Sequence, residues 1–327
     1  MNLSFTAHRT GYANQLLYIE SIVGMSYLLD ADCAIYNDHS SHQYSYTNSL
    51  SKYLIIPWNV KFHLKEIPKI DSLINLHMSV YYTDDDYKDP YIEPDFLYGR
   101  KIITKNTFKK SKYNSIIGFG LYSSFYYGDR ASEVKDFLKT ISFTDEVMEA
   151  KDKILDYLLD NYRWFNALHI RRGNFNQWIG SKKYISNITE SSIINDIVKN
   201  FNNDYPIVVF TDDNDFFDSL KQQFKKNELI NFNTIANEYS NDIVSLTSML
   251  IGGESYRFLG TVQSTFTGMI HRYRELKGLD HNFKYISNGI NVSSNMLPSG
   301  FPYSWNHTYY KRIGEMAFWM REWKECL

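Results

Sequence analysis

The chain has 327 residues, with 35 Lys+Arg against 37 Asp+Glu for a formal charge of −2, and 43% of its residues are hydrophobic. These figures exclude a disordered chain, and the near balance of charge excludes a general nucleic-acid binder, which needs a basic stripe for phosphates. Two cysteines, Cys33 and Cys326, are too few for a disulfide framework or a cysteine-rich zinc site.

In chain order, the opening reads strand, loop, helix, strand. Residues 3–7 are short and apolar, 11–14 form a turn, and Leu16, Leu17, Ile19, Ile22, Val23, Tyr27 and Leu28 recur at helical spacing before a strand over 33–36. This predicts a βαβ unit. No apolar signal-peptide core follows Met1, and the most apolar window, 16–29, is interrupted by Glu20 and too short to span a bilayer. A soluble cytoplasmic protein without a transmembrane segment is expected.

From 39 to about 130 the pattern loosens into tyrosines, charges and short apolar runs, with Asp84, Asp85 and Asp86 as a solvated break. Order returns near 142. Thr144 can cap a helix through Val147, Ile154, Leu155 and Leu158. A strand over 166–170 and a helix over 191–201 follow, then a strand over 206–210, whose unbroken apolar run suits a sheet covered on both faces. Next come a helix over 215–224, a weak strand near 229–235, a helix over 242–250, a strand over 256–259 and a helix over about 267–277. A final amphipathic helix is expected within 309–323. Strands alternating with helices predict a doubly wound α/β fold, and the length suits two Rossmann-like halves facing across a cleft.

Three strand ends are chemically dense, and in open α/β sheets ligands bind at the carboxyl ends of strands. After the first comes Arg171-Arg172-Gly173, a pair of guanidinium forks suited to a pyrophosphate. After the second come Asp212 and Asp213; a carboxylate there could accept the paired N–H donors of guanine, or ribose hydroxyls. After the third come Ser264, Thr265, Phe266 and Thr267, hydroxyls and amides at a helix start that make an anion site. Each also has a plainer reading: a surface ion pair, a helix cap, an ordinary capping stretch. His169, taken alone, reads as a satisfied buried histidine. A G-x-G-x-x-G loop is absent, which weighs against a dehydrogenase.

The segment His169-Ile170-Arg171-Arg172-Gly173-Asn174-Phe175 resembles the His-x-Arg-x-Gly segment of the GDP-fucose-dependent fucosyltransferases. Residues 258–267, with His271 and Arg272 following, resemble the protein O-fucosyltransferase branch. Thr10-Gly11-Tyr12-Ala13-Asn14-Gln15 is similar to the family's N-terminal Gly-x-x-Gly-Asn-Gln loop, with Thr10 and Ala13 replacing its glycines. The resemblance implies a GT-B fold and an inverting, metal-independent transfer of fucose from GDP-fucose to a glycan or protein hydroxyl, without a cofactor. It implies Arg171 as the essential arginine on the β-phosphate, with Arg172 beside it and His169 holding the nucleotide. Asp212 would read guanine, Ser264, Thr265 and Phe266 would bind the diphosphate, and Asn14 would lie beside the reacting sugar. An acceptor-side domain over 1–150, a nucleotide-sugar domain over 151–290, and a segment over 291–327 that could pack back on the first domain would follow.

Three departures stand out. Asn174 replaces an Asp frequent in the family, the loop glycines are lost, and no glutamate base has a counterpart at Thr10 or Gly11. Asp38 is a candidate base by position only, and Asp213-Asn214-Asp215 is the metal-type spacing hardest to dismiss. Another nucleotide sugar, or a non-catalytic glycan- or nucleotide-binding role, stays open. Of the 27 tyrosines, 16 fall in residues 1–150, which suggests an acceptor cleft lined by residues such as Tyr44, Tyr46, Tyr81, Tyr82, Tyr122, Tyr126 and Tyr127.

Overall fold

The computed structural model of the chain describes residues 2–7, 11–28, 30–37, 47–63, 74–75, 79–83, 101–104, 116–117, 124–126, 131–172, 189–201, 203–261, 264–279 and 283–285. Asp38, Asp84–Asp86, Gly173, Asn174, Tyr44, Tyr46, Tyr122, Tyr127 and the expected helix within 309–323 lie outside the described residues. Among the described residues, Thr144 closes a first unit and Asp145 opens a second.

The first unit begins with β1 (Asn2–Ala7), α1 (Tyr12–Leu28) and β2 (Asp32–Asn37), the expected βαβ, with Asn2 opposite Asp32 in a parallel register. Tyr12, Ala13 and Asn14 are helical rather than a turn, and Ala13 is buried. Alanine favours the helix that glycine would have loosened. Leu16, Ile19, Ile22 and Val23 bury one side of α1, and Asp30 reverses the chain into β2 at φ 48°. Then come α2 (Thr47–Tyr53), β3 (Leu54–Ile55) and β4 (Val60–His63), with β4 joining β2 in parallel. The short strands β5 (Ile74–Asn75), β6 (Ser79–Thr83), β7 (Lys101–Thr104), β8 (Ile116–Ile117) and β9 (Ser124–Tyr126) make a parallel pair, β5-β8, and a parallel trio, β7-β6-β9. The helix α3 (Ala131–Leu138) stacks Phe137 on Tyr27 of α1 at 4.1 Å, and β10 (Ser142–Phe143) pairs antiparallel with β3.

The second unit runs α4 (Asp145–Tyr162), β11 (Asn166–Ile170), α5 (Glu190–Asn200), β12 (Ile207–Thr211), α6 (Asn214–Gln223), β13 (Leu229–Asn231), α7 (Phe232–Ile235), α8 (Asn241–Glu254), β14 (Phe258–Gly260), α9 (Thr265–Leu276) and β15 (Phe283–Tyr285). Its strands form one parallel sheet in the order β13-β12-β11-β14-β15. The chain steps outward from β11 to β13, then returns to the other side of β11 at β14. That reversal opens a crevice at the carboxyl ends of β11 and β14, the place where α/β sheets bind ligands. Leu168 and Ile170 face a core shared with Ile193, Ile197, Phe216 and Leu220 from α5 and α6. All five residues of β11 are buried, and so are Ile207 to Phe210 of β12, as its unbroken apolar run requires.

Two elements differ from expectation. The strand near 229–235 stops at Asn231, whose side chain accepts from the Asn233 amide at 3.0 Å and starts α7. The helix expected over 242–250 continues to Glu254, through Gly252 and Gly253. A β-carbon at Gly252 would lie 2.9 Å from Cδ1 of Ile270, so glycine here lets α8 and α9 approach rather than ending the helix.

Arg274 of α9 is fully buried. Its Nη1 donates to the Ser255 carbonyl at 2.5 Å and Ser255 Oγ at 2.9 Å, and its Nη2 donates to the carbonyls of Tyr256 and Leu279, each at 3.3 Å.

Candidate active site

The parallel register places Ile170 opposite Thr211 and His169 opposite Gly260. Arg171 and Asp212 therefore end level, with Thr261 one residue short of them beside Ile170, although 90 positions separate Arg171 from Thr261. Arg171 donates Nη1–H to Asp212 Oδ2 at 2.6 Å, and the Arg172 amide donates to Asp212 Oδ1 at 2.9 Å. The same carboxylate thus binds one arginine by its side chain and the next by its backbone.

Asp213 has two tasks. One oxygen accepts from the Phe216 amide at 2.9 Å and caps α6; the other accepts from Arg172 Nε at 3.2 Å. The Arg172 guanidinium lies 4.1 Å from the Phe216 ring centroid. The plainer readings of Asp213 as a cap and of the arginines as ion-paired residues both hold. The cap belongs to the site because it fixes an arginine.

Thr261 clamps the backbone. Its Oγ1 donates to the His169 carbonyl at 2.9 Å and accepts from the Arg171 amide at 2.9 Å. His169 is buried, its ring 4.7 Å from that of Phe266, with Nδ1 2.7 Å from Thr267 Oγ1. Burial, reinforced by the Arg171 charge, pushes the imidazole down to about 3, so the ring is neutral at physiological pH. Gly260 makes this contact possible: a β-carbon there would lie 2.4 Å from Thr267 Cγ2 and 2.9 Å from a Phe258 ring carbon.

Through the His169 contacts with Phe266 and Thr267, the start of α9 sits at the carboxyl end of β11. Ser264 is buried and its carbonyl takes the first helical bond, from the Gly268 amide at 3.1 Å. The amides of Thr265, Phe266 and Thr267 precede that bond, the position from which helices bind anions. Two guanidinium groups, the carboxylates that orient them and a helix start together form a surface suited to a doubly charged anion.

The structure thus brings together Arg171, Arg172, His169, Asp212, Ser264, Thr265 and Phe266 in the second unit. Asn14 lies in α1 of the first unit. Sequence reasoning placed Asp213 and Thr267 at the chemically dense strand ends without their partners, and gave Thr261 and Gly260 no role of their own. Their signal was adjacency: each stands within three residues of a strand end or helix start already singled out.

No family model and no curated protein matches the sequence. Solved structures do. The apo form of POFUT1 matches with a TM-score of 0.52 and 12% identity, over 87% of this chain and 97% of that one. POFUT1 in complex with GDP matches with a TM-score of 0.50 and 12% identity, over 87% and 98%. A mutant of Arabidopsis thaliana FUT1 in complex with GDP matches with a TM-score of 0.51 and 10% identity, over 87% and 70%. The chain has a GDP-fucose fucosyltransferase-like fold, mixed α/β with parallel sheets. Among the described residues no helix is long and apolar enough to cross a membrane.

Proposed function

We propose that the protein is a glycosyltransferase that moves fucose from GDP-fucose to a hydroxyl of a glycan or protein. The observation that carries this reading is Arg171, fixed by Asp212 and Thr261 at the crevice of the parallel sheet, beside the start of α9. GDP-bound structures among the fold's relatives support a GDP-sugar donor. The reading takes the two units as the halves of a GT-B enzyme, with the acceptor recognised by the first and Asn14 near the reacting sugar.

In this mechanism the bond between the anomeric carbon and the β-phosphate oxygen breaks, and its electron pair stays on the phosphate. The acceptor oxygen attacks the opposite face of that carbon, inverting it, and its proton passes to a base or to water. Arg171 neutralises the charge that develops on the β-phosphate, and it is already oriented before the charge appears. Arg172 and the amides of Thr265 and Phe266 hold the diphosphate, with the Ser264 hydroxyl. Asp212 fixes Arg171 and uses its remaining lone pairs on the guanine edge. His169, neutral, packs the nucleotide side of the crevice and is no proton carrier at neutral pH. The reading takes the transfer as metal-independent, with the guanidinium groups of Arg171 and Arg172 supplying the positive charge at the diphosphate.

The test is a donor screen on the purified chain, reading GDP release. Arg171→Ala is expected to lower turnover by about 10²–10³-fold, the range for losing one preorganised donor, with the melting temperature retained. GDP should raise that temperature in the presence of a chelator. Stabilisation by UDP and not GDP overturns the donor, an unchanged rate in Arg171→Ala overturns the mechanism, and activity lost to the chelator overturns metal independence.

A further inference from the structure

Thr267, the third residue of α9, is fully buried, yet its hydroxyl meets a ring nitrogen rather than the backbone of its own helix. A helical threonine commonly spends its hydroxyl proton on a carbonyl three or four residues back. Here those positions are Ser264, whose carbonyl takes the Gly268 amide at 3.1 Å, and a residue ahead of the helix. Among the described residues the partner of Thr267 Oγ1 is His169 Nδ1, at 2.7 Å. The threonine is also fixed in place. A β-carbon on Gly260 would lie 2.4 Å from Thr267 Cγ2 and 2.9 Å from its Oγ1, so the side chain stands against that glycine. Gly260 pairs with His169 across the sheet, which sets the hydroxyl beside the imidazole.

This contact decides which ring nitrogen carries the proton. The imidazole is buried beside the Arg171 charge and is neutral, so it has one N–H and one lone pair to place. If Nδ1 held the proton it would donate to Oγ1, and the buried hydroxyl hydrogen would have nothing to accept it. If instead the hydroxyl donates to Nδ1, the pair is satisfied. The ring proton then sits on Nε2, for which the described residues supply no partner.

We propose that Thr267 is a positioning residue: it holds His169 as the Nε2–H tautomer, so that the ring offers an N–H to an oxygen of the bound nucleoside diphosphate. The inference rests on the donor reading for its ligand, but not for the state of the ring. Diphosphate oxygens are acceptors, and a ring nitrogen that met them with a lone pair would repel them. A charged imidazolium would donate as well, but burial beside Arg171 withholds that charge. The hydroxyl of Thr267 therefore makes a neutral ring a donor without adding a further cation to Arg171 and Arg172.

The test reads the ring directly. The full chain, isotope-labelled at its histidine nitrogens, is observed by long-range proton–nitrogen correlation spectroscopy, and the signals of His169 are those missing from His169→Asn. The parent, which needs no substitution for this measurement, is expected to be protonated at Nε2 and bare at Nδ1. Thr267→Val keeps the shape, removes the hydroxyl and should average the proton over both nitrogens, whereas Thr267→Ser restores the preference. By calorimetry, Thr267→Val should weaken GDP binding about three- to tenfold, the range for one neutral hydrogen bond, and Thr267→Ser should recover most of that loss. A parent ring protonated at Nδ1 overturns the proposal, as does an unchanged tautomer in Thr267→Val. So does a GDP affinity that stays the same while the tautomer moves. If the parent shows the Nε2–H ring but binds no GDP, the hold of Thr267 on the ring stands and the donor reading falls.

Discussion

The two edges of the five-stranded sheet use one scaffold in opposite ways. At the carboxyl edge, polar groups from three strands bond to one another: Arg171 to Asp212, Arg172 to Asp212 and Asp213, Thr261 to the His169 carbonyl and the Arg171 amide. At the amino edge the exposed side chains, Trp164 before β11 and Tyr256 before β14, are aromatic, and rigidity comes from the backbone around Arg163 and Asn203. A charge must be held by partners before it can meet another charge without reorganising, whereas a ring needs only to be kept in place. The polar edge is therefore the costlier to disturb.

The largest effect is expected from acid. His169 is held down to about 3 in the folded protein against 6.5 when exposed, so the unfolded chain takes up a proton that the native one refuses. Its contribution to stability is full above about pH 6.5, falls as pH drops below that value, and is gone once pH reaches the folded value. At about 1.4 kcal/mol per pH unit, roughly 3 kcal/mol is lost by pH 4. Urea unfolding of the parent and of His169→Asn between pH 7 and 4 checks this: the variant should lack that part of the acid slope. Next is Gly260→Ala, whose new methyl collides with Thr267 and Phe258; a loss of about 1–3 kcal/mol in the same measurement is expected.

Thr261→Val sharpens the comparison further. It removes the hydroxyl that joins β11 to β14 and should cost about 1–2 kcal/mol, while Thr261→Ser recovers most of it. Equal losses in both variants would mean that packing, not the hydrogen bonds, holds Arg171. The smallest effect is expected across the sheet: Trp164→Ala should leave the dissociation constant for GDP within about twofold of the parent, a shift under about 0.5 kcal/mol. A larger change would mean the two edges are not separate.

Much of the second unit was legible from the sequence because its signals are local. The run at 206–210 is apolar without alternation, and Asp213 stands where a helix cap is needed, so both β12 and the start of α6 could be placed. What escaped was pairing at a distance. Nothing near Thr261 announces that it will meet the Arg171 amide, since that contact exists only once β14 returns beside β11. The length of α8 escaped for the same reason: why it runs on through Gly252 is visible only once Ile270 is packed against that glycine. In the first unit the tyrosine-rich stretch carried no period, and its short strands β5–β9 owe their existence to partners many residues away.

Arg274 adds a mechanical consequence. The start of α9 touches His169 at the carboxyl edge, while Arg274, near the other end of that helix, grips the carbonyls of Ser255 and Tyr256, the segment that presents the exposed tyrosine. The helix is a strut pinned at both ends. Any tilt that loosened the crevice would have to pull against the anchorage beneath Tyr256, so the guanidinium makes the spacing between the two edges a fixed length.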